Sequence, residues 1–173
     1  MSKVTPIHQK HMTPRTTEEI RREVKYKNNL FNRYMLFRYT LALFFFANIY
    51  WSLALFFKPN LYLLVPFAML VLLVRATIEQ FKLYGMSIPK LSRTELALKI
   101  QLVTHILVIT LSVFNQTSIL FPTFTNQLSA KLMIIILQAL GIFLINFNLN
   151  RIALIKQNKD NYYQRFQTIE KYI

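Results

Sequence analysis

The chain alternates between long apolar blocks and short polar ones. Four blocks dominate: LALFFFANIYWSLALFF inside 37–57, a run over 61–81, a run over 96–115 and a run over 129–148. About 20 apolar residues, at about 1.5 Å each, cross a hydrocarbon core of about 30 Å. The pattern predicts an all-α fold: an integral membrane four-helix bundle made of two hairpins. Amphipathic helical segments are expected at both cytoplasmic ends. Residues 1–36 are read as a basic N-terminal segment, helical from about 16, residues 37–150 as the four-span domain, and residues 151–173 as an amphipathic C-terminal tail.

Polar residues between the blocks supply starts and stops. Thr16 and Glu19 have capping-box spacing, so a helix is expected from there to about Arg33. Ile20, Val24, Phe31 and Tyr34 fall near one face, with Arg21, Arg22, Lys25 and Arg33 elsewhere. Such a helix either lies on an anionic leaflet or extends the first span into solvent, packed on other cytoplasmic segments. Lys58-Pro59-Asn60 reads as a tight turn, and Pro66 lies early in the second span, where a missing donor costs least. Gly85 is expected to close that helix. Ser92-Arg93-Thr94-Glu95 reads as a second capping box, with Pro89 just before it. Ile152, Ile155, Tyr162, Phe166 and Ile169 keep helical spacing, so the last helix is expected to run on through the tail. Glycine occurs only at 85 and 141, so no GxxxG contact is available. Packing must rely on Ala, Ser, Thr and aromatic side chains.

Charge fixes the expected orientation. The net charge is +14, from 21 Lys and Arg against 7 Asp and Glu. In a soluble domain that balance would suggest nucleic acid, but here the bases flank apolar blocks. Nine lie at or before Arg38, five between Arg75 and Lys99 and five from Arg151 onward, leaving only Lys58 and Lys131 on the other side. The positive-inside rule then puts both termini in the cytoplasm, in a plasma membrane, with anionic lipid headgroups as partners and no nucleic acid. All acidic residues fall on the same side as most of the bases. The first 36 residues are too polar for a signal peptide, so the first span is expected to stay in the mature protein. There is no Cys, hence no disulfide or thiolate chemistry.

A few polar groups inside the blocks are candidates for function. Asn48 and Ser52 share a face of the first span and are expected to bond a neighbouring helix. Only fourteen residues separate Leu61 from Arg75, so Arg75 either snorkels or pairs, and Glu79 stands at i+4 as its expected partner. Gln101, His105, Ser112 and Gln116 recur on one stripe of the third span, which is expected to face protein. His105, as a neutral imidazole, is expected to bond Gln101, Asn48 or Gln138. Gln138 and Asn146 complete the set on the fourth span. His8 and His11 lack a third ligand nearby, so no metal or cofactor is expected. Asn115-Gln116-Thr117 matches an N-glycosylation pattern at the membrane edge. No G-x-S-x-G, H-E-x-x-H or phosphate loop occurs. The expected function is a non-enzymatic accessory or regulatory subunit binding a larger membrane partner. The alternative is a small oligomeric transporter or channel lined by the third-span stripe. A third reading is a lipid-modifying enzyme using His105 or Arg75–Glu79.

Overall fold

The computed structural model describes residues 16–83, 91–124 and 127–164, without the side chains of Tyr26 and Leu30. Most of those residues are helical, with no strand among them. The elements are α1 (Thr17–Phe56), a 3-10 turn (Leu61–Leu63), α2 (Leu64–Lys82), α3 (Ser92–Val113), a short α4 (Thr117–Leu120) and α5 (Leu128–Lys156). Helices at 17–56, 61–82, 92–113 and 128–164 are each long and apolar enough to cross a membrane. His8, His11, Gly85, Pro89, Phe166 and Ile169 lie outside the described residues.

The buried positions explain why the four helices pack. On α1 they include Tyr34, Phe37, Leu41, Phe44, Asn48 and Leu55, and on α2 Pro66, Met69, Leu73, Ala76 and Gln80. On α3 they include Thr94, Leu98, Gln101, His105, Val108 and Ser112, and on α5 Gly141, Ile145, Asn148, Ile152 and Ile155. Steps of three and four alternate, apart from the seven between Asn48 and Leu55, making the seam that lets helices pack side by side along their length. In sequence order each long helix packs on the next, and α1 meets α5 only sparingly. The outward faces are apolar too: Phe46, Phe67, Val71, Leu107 and Phe143 are all more than half exposed. That is the reverse of a soluble bundle, whose outer faces are polar.

α1 is one continuous helix of 40 residues, about 60 Å long. Its expected capping box forms: Glu19 N–H donates to Thr16 Oγ1 at 3.4 Å, and Thr16 N–H to Glu19 Oε2 at 3.0 Å. From Thr16 to Asn28 the described side chains are almost all exposed, so this part projects beyond the bundle.

Two stops come from asparagine. Asn115 and Asn158 adopt left-handed φ of 63° and 55°. Gln116 N–H donates to the Leu111 carbonyl and Asn115 N–H to that of Ser112, and Lys159 and Asn158 repeat the pattern on Leu154 and Ile155. These are two Schellman motifs with Asn in the usual glycine place. The expected run of α5 through the tail is therefore interrupted: the helix ends at Lys156, and a separate helical turn follows at 161–164.

At the end of the bundle away from the termini, Trp51 Nε1 donates to the Leu120 carbonyl and Asn60 Nδ2 to that of Ile119, both at 2.9 Å. Trp51 stacks on Phe121 at 5.7 Å. Of the tyrosines of α1, Tyr39 and Tyr50 face outward, while Tyr34 is buried.

Candidate functional site

The polar residues of the bundle middle form one chain across three helices. Asn48 of α1 donates through Nδ2 to the Phe44 carbonyl at 2.8 Å, which fixes the orientation of its amide. The same Nδ2 donates to Gln101 Oε1 at 3.3 Å. Gln101 must then turn its Nε2 toward His105 Nε2, 3.4 Å away. His105 Nε2 is thereby the acceptor, and the proton belongs on Nδ1, which bonds Gln138 Oε1 of α5. The carbonyl of Phe44 thus sets the polarity of the whole relay and holds a neutral imidazole. Phe44 also packs its ring against His105 at 5.5 Å.

The ring has room only because residue 141 is glycine. A Cβ there would lie 2.7 Å from His105 Cε1 and 2.8 Å from Nε2. Gly141→Ala is expected to push the ring aside and lower the stability in detergent by about 1–3 kcal/mol. In a His105→Ala background the same change should cost almost nothing, because the methyl group fills space the ring has left. Equal costs in both backgrounds, read from melting curves, would show that the two residues do not meet.

About two to three helical turns toward the termini, Asn148 of α5 is fully buried and donates to Thr40 Oγ1 of α1 at 3.1 Å. Beyond it lie the charged contacts. Glu79 of α2 is 8% exposed and reaches the start of α3. Its Oε1 accepts from Arg93 N–H at 3.0 Å, and its Oε2 from Thr94 N–H at 2.7 Å and Thr94 Oγ1 at 2.9 Å. Those amides are the second and third of the helix, the ones a capping side chain normally satisfies. A carboxylate there also meets the positive end of the helix dipole. Gln80 donates to Thr94 Oγ1 at 2.7 Å beside it.

This overturns two expectations. Ser92 does not cap α3: the cap residue is Leu91, with no side-chain bond, and Ser92 is already inside the helix. Glu95 is turned away, to Lys99 at 2.8 Å and to Lys156 of α5. Nor do Arg75 and Glu79 pair: Arg75 is exposed, and the carboxylate of Glu79 is committed to α3. The i,i+4 attraction is worth only a few tenths of a kcal/mol, less than charge-assisted bonds to buried backbone donors.

At the end that carries the termini, Arg33 and Asp160 form a buried ion pair, 4% and 6% exposed. Arg33 Nε donates to Oδ2 at 2.9 Å and a terminal nitrogen to Oδ1 at 2.5 Å. The guanidinium also lies near the rings of Tyr34 and Tyr163. Asn29 Nδ2 adds a bond to the Tyr162 carbonyl at 3.0 Å. The break at Asn158 is what lets the chain turn back and deliver Asp160 to α1.

Of the residues singled out from sequence, Asn48, Gln101, His105 and Gln138 come together. Ser112 is buried on the same seam, and its hydroxyl has no partner among the described residues. Ser52 bonds its own helix, at the Asn48 carbonyl. Gln116 is half-buried and opens α4, while Arg75 and Asn146 face outward. Asn148, Thr40, Gly141, Arg33 and Asp160 were missed. The step pattern Gln138, Gly141, Ile145, Asn148 could have found two of them, since Asn146 is out of phase with it. Compared with protein-family models, with curated proteins and with solved structures, the chain matches none.

Proposed function

We propose that the protein spans a plasma membrane four times with both ends in the cytoplasm. In this reading it acts without catalysis, as an accessory or regulatory subunit of a larger membrane partner. The observation that supports this is the projecting part of α1. Its first turns stand clear of the bundle and are stiffened by pairs of Glu18 with Arg22 and Glu23 with Lys27, at 3.9 and 2.8 Å. A long, charged, unpacked helix joined rigidly to a membrane bundle is suited to reach a second protein. Copurification from gentle detergent tests it. A stoichiometric larger protein that is lost on deleting residues 17–28 is expected. A partner retained by the truncated chain would refute this role for α1.

A second reading, a small oligomeric transporter or channel, draws on a different observation. Asn48 Oδ1 of α1, Asn148 Oδ1 of α5 and the Ser112 hydroxyl of α3 are buried without hydrogen-bond partners among the described residues. Orphaned buried polar groups are where water or a solute would bind. A stable homo-oligomer that moves solute into liposomes would favour it over the first.

The topology has its own test, because the chain has no Cys. A cysteine at Thr123, exposed at the end away from the termini, should react with an impermeant thiol reagent from outside intact cells. One at Lys159, exposed at the other end, should react only after permeabilisation. The reverse pattern would invert the orientation, and labelling of both from outside would end the membrane reading.

A further inference from the structure

A groove of about 350 Å³ runs between the outward sides of α1 and α2. It is lined by Leu41, Ala42, Phe45, Val74, Ile78 and Phe81, with Arg38 at one end. We infer that this groove binds the acyl chain of an anionic phospholipid whose phosphate is held at Arg38. The inference rests on the membrane reading above.

Charge complementarity selects this occupant. Arg38 is half-buried, donates to the Gln80 carbonyl at 3.4 Å and lies 4.8 Å from the centre of the Phe31 ring. Its guanidinium is therefore held at the mouth of the groove. Lys82, exposed, adjoins Phe81 at that same end, whereas Arg75, also exposed, lies about two turns away beside Val74. The one acid of α2, Glu79, is buried against α3 and bonded to its start. The groove is thus apolar along its length and cationic at one end, with no carboxylate on that face of α2. An acyl chain below a phosphate has the same order of properties. Basic pockets between membrane helices on the cytoplasmic side bind anionic headgroups in this way. The volume falls in the range of ordinary small-molecule pockets, enough for part of one chain.

Native mass spectrometry of the full chain tests this, with phosphatidylglycerol and phosphatidylcholine of identical acyl chains. The wild type should retain one phosphatidylglycerol in preference to phosphatidylcholine. Arg38→Gln should lower that preference about fivefold, the worth of one base near a lipid surface. Ala42→Phe, at an exposed position, fills the groove and should abolish retention of both lipids while the melting temperature stays unchanged. Undiminished retention in Ala42→Phe, or an unaltered preference in Arg38→Gln, overturns the proposal. So does displacement of the lipid by glycerol phosphate, which would mark a site for soluble phosphate. A photocrosslinker at Ala42 should capture lipid, and capture of a protein helix would also overturn it. Flotation of the protein with liposomes reads the membrane assignment separately, so a failure of either is recognisable.

Discussion

Asp160→Ala is expected to cost about 3–5 kcal/mol, the usual penalty for stranding a buried charge. The carboxylate it removes accepts two bonds from Arg33, and both side chains are almost wholly enclosed. What remains is a guanidinium held under Tyr34 and Tyr163 with only long contacts, to the Ile155 carbonyl and Asn158 Oδ1 at 3.5 Å. Arg33→Lys should cost less than Asp160→Ala but still measurably, because an ammonium cannot reproduce the two-pronged geometry. The double replacement Arg33→Met with Asp160→Leu should recover most of the loss, since no charge is then buried. Detergent unfolding curves for the four proteins decide the matter. Hydrogen exchange at residues 161–164 adds a local reading: their amides should lose protection in Asp160→Ala, because the pair and the Asn29 bond hold that turn on α1. If the single and double replacements unfold together with the wild type, the pair is a surface contact and the tail is not fastened by it.

The helices were legible in the sequence because a span is a local property. Twenty apolar residues in a row declare themselves without reference to the rest of the chain, and the Thr16–Glu19 box needs only three residues of separation. The middle of the site was legible for a related reason. In hydrocarbon or in a bundle, a stripe of Gln and His on an apolar helix has to turn toward other polar groups. Gln101 and His105 had only Asn48 and Gln138 at comparable depth.

The ends of the bundle were not legible, because their charges pair across the fold. Glu79 was assigned to Arg75 on spacing alone, but helical spacing offers a neighbour without excluding a better one. The better one is a pair of helix-start amides 14 and 15 residues on. Arg33 finds its partner 127 residues away, through a break at Asn158 that no proline or glycine announces. Asn146 and Asn148 differ only in phase. The seam of small and apolar residues on α5 contains Asn148, so the phase was present in the sequence as a step pattern. Gly141 carried a signal as well: with so few glycines in the chain, one in mid-helix marks a close approach, and here the approach is by the His105 ring.

Glu79→Ala is the sharpest test of the junction between α2 and α3. One carboxylate holds two backbone donors and a hydroxyl there, and bonds to a charged acceptor are worth about 1.5–3 kcal/mol each, less than additively. A loss of about 3 kcal/mol is expected, with the Arg93 and Thr94 amides exchanging faster. Glu79→Gln should fall between, since one oxygen still accepts while the new NH2 group faces the donors it replaced. Arg75 supplies the contrast. It is exposed and takes no part in this cap, so Arg75→Leu should leave the cost of Glu79→Ala unchanged within about 0.5 kcal/mol. Were the two residues an ion pair, the double replacement would instead be less damaging than the single one, because it would leave no cation behind. The coupling between 75 and 79 is therefore near zero in the first account and compensating in the second, which melting curves of the four proteins measure directly. Unchanged protection at Arg93 and Thr94 in Glu79→Ala would mean that α3 is capped by something else.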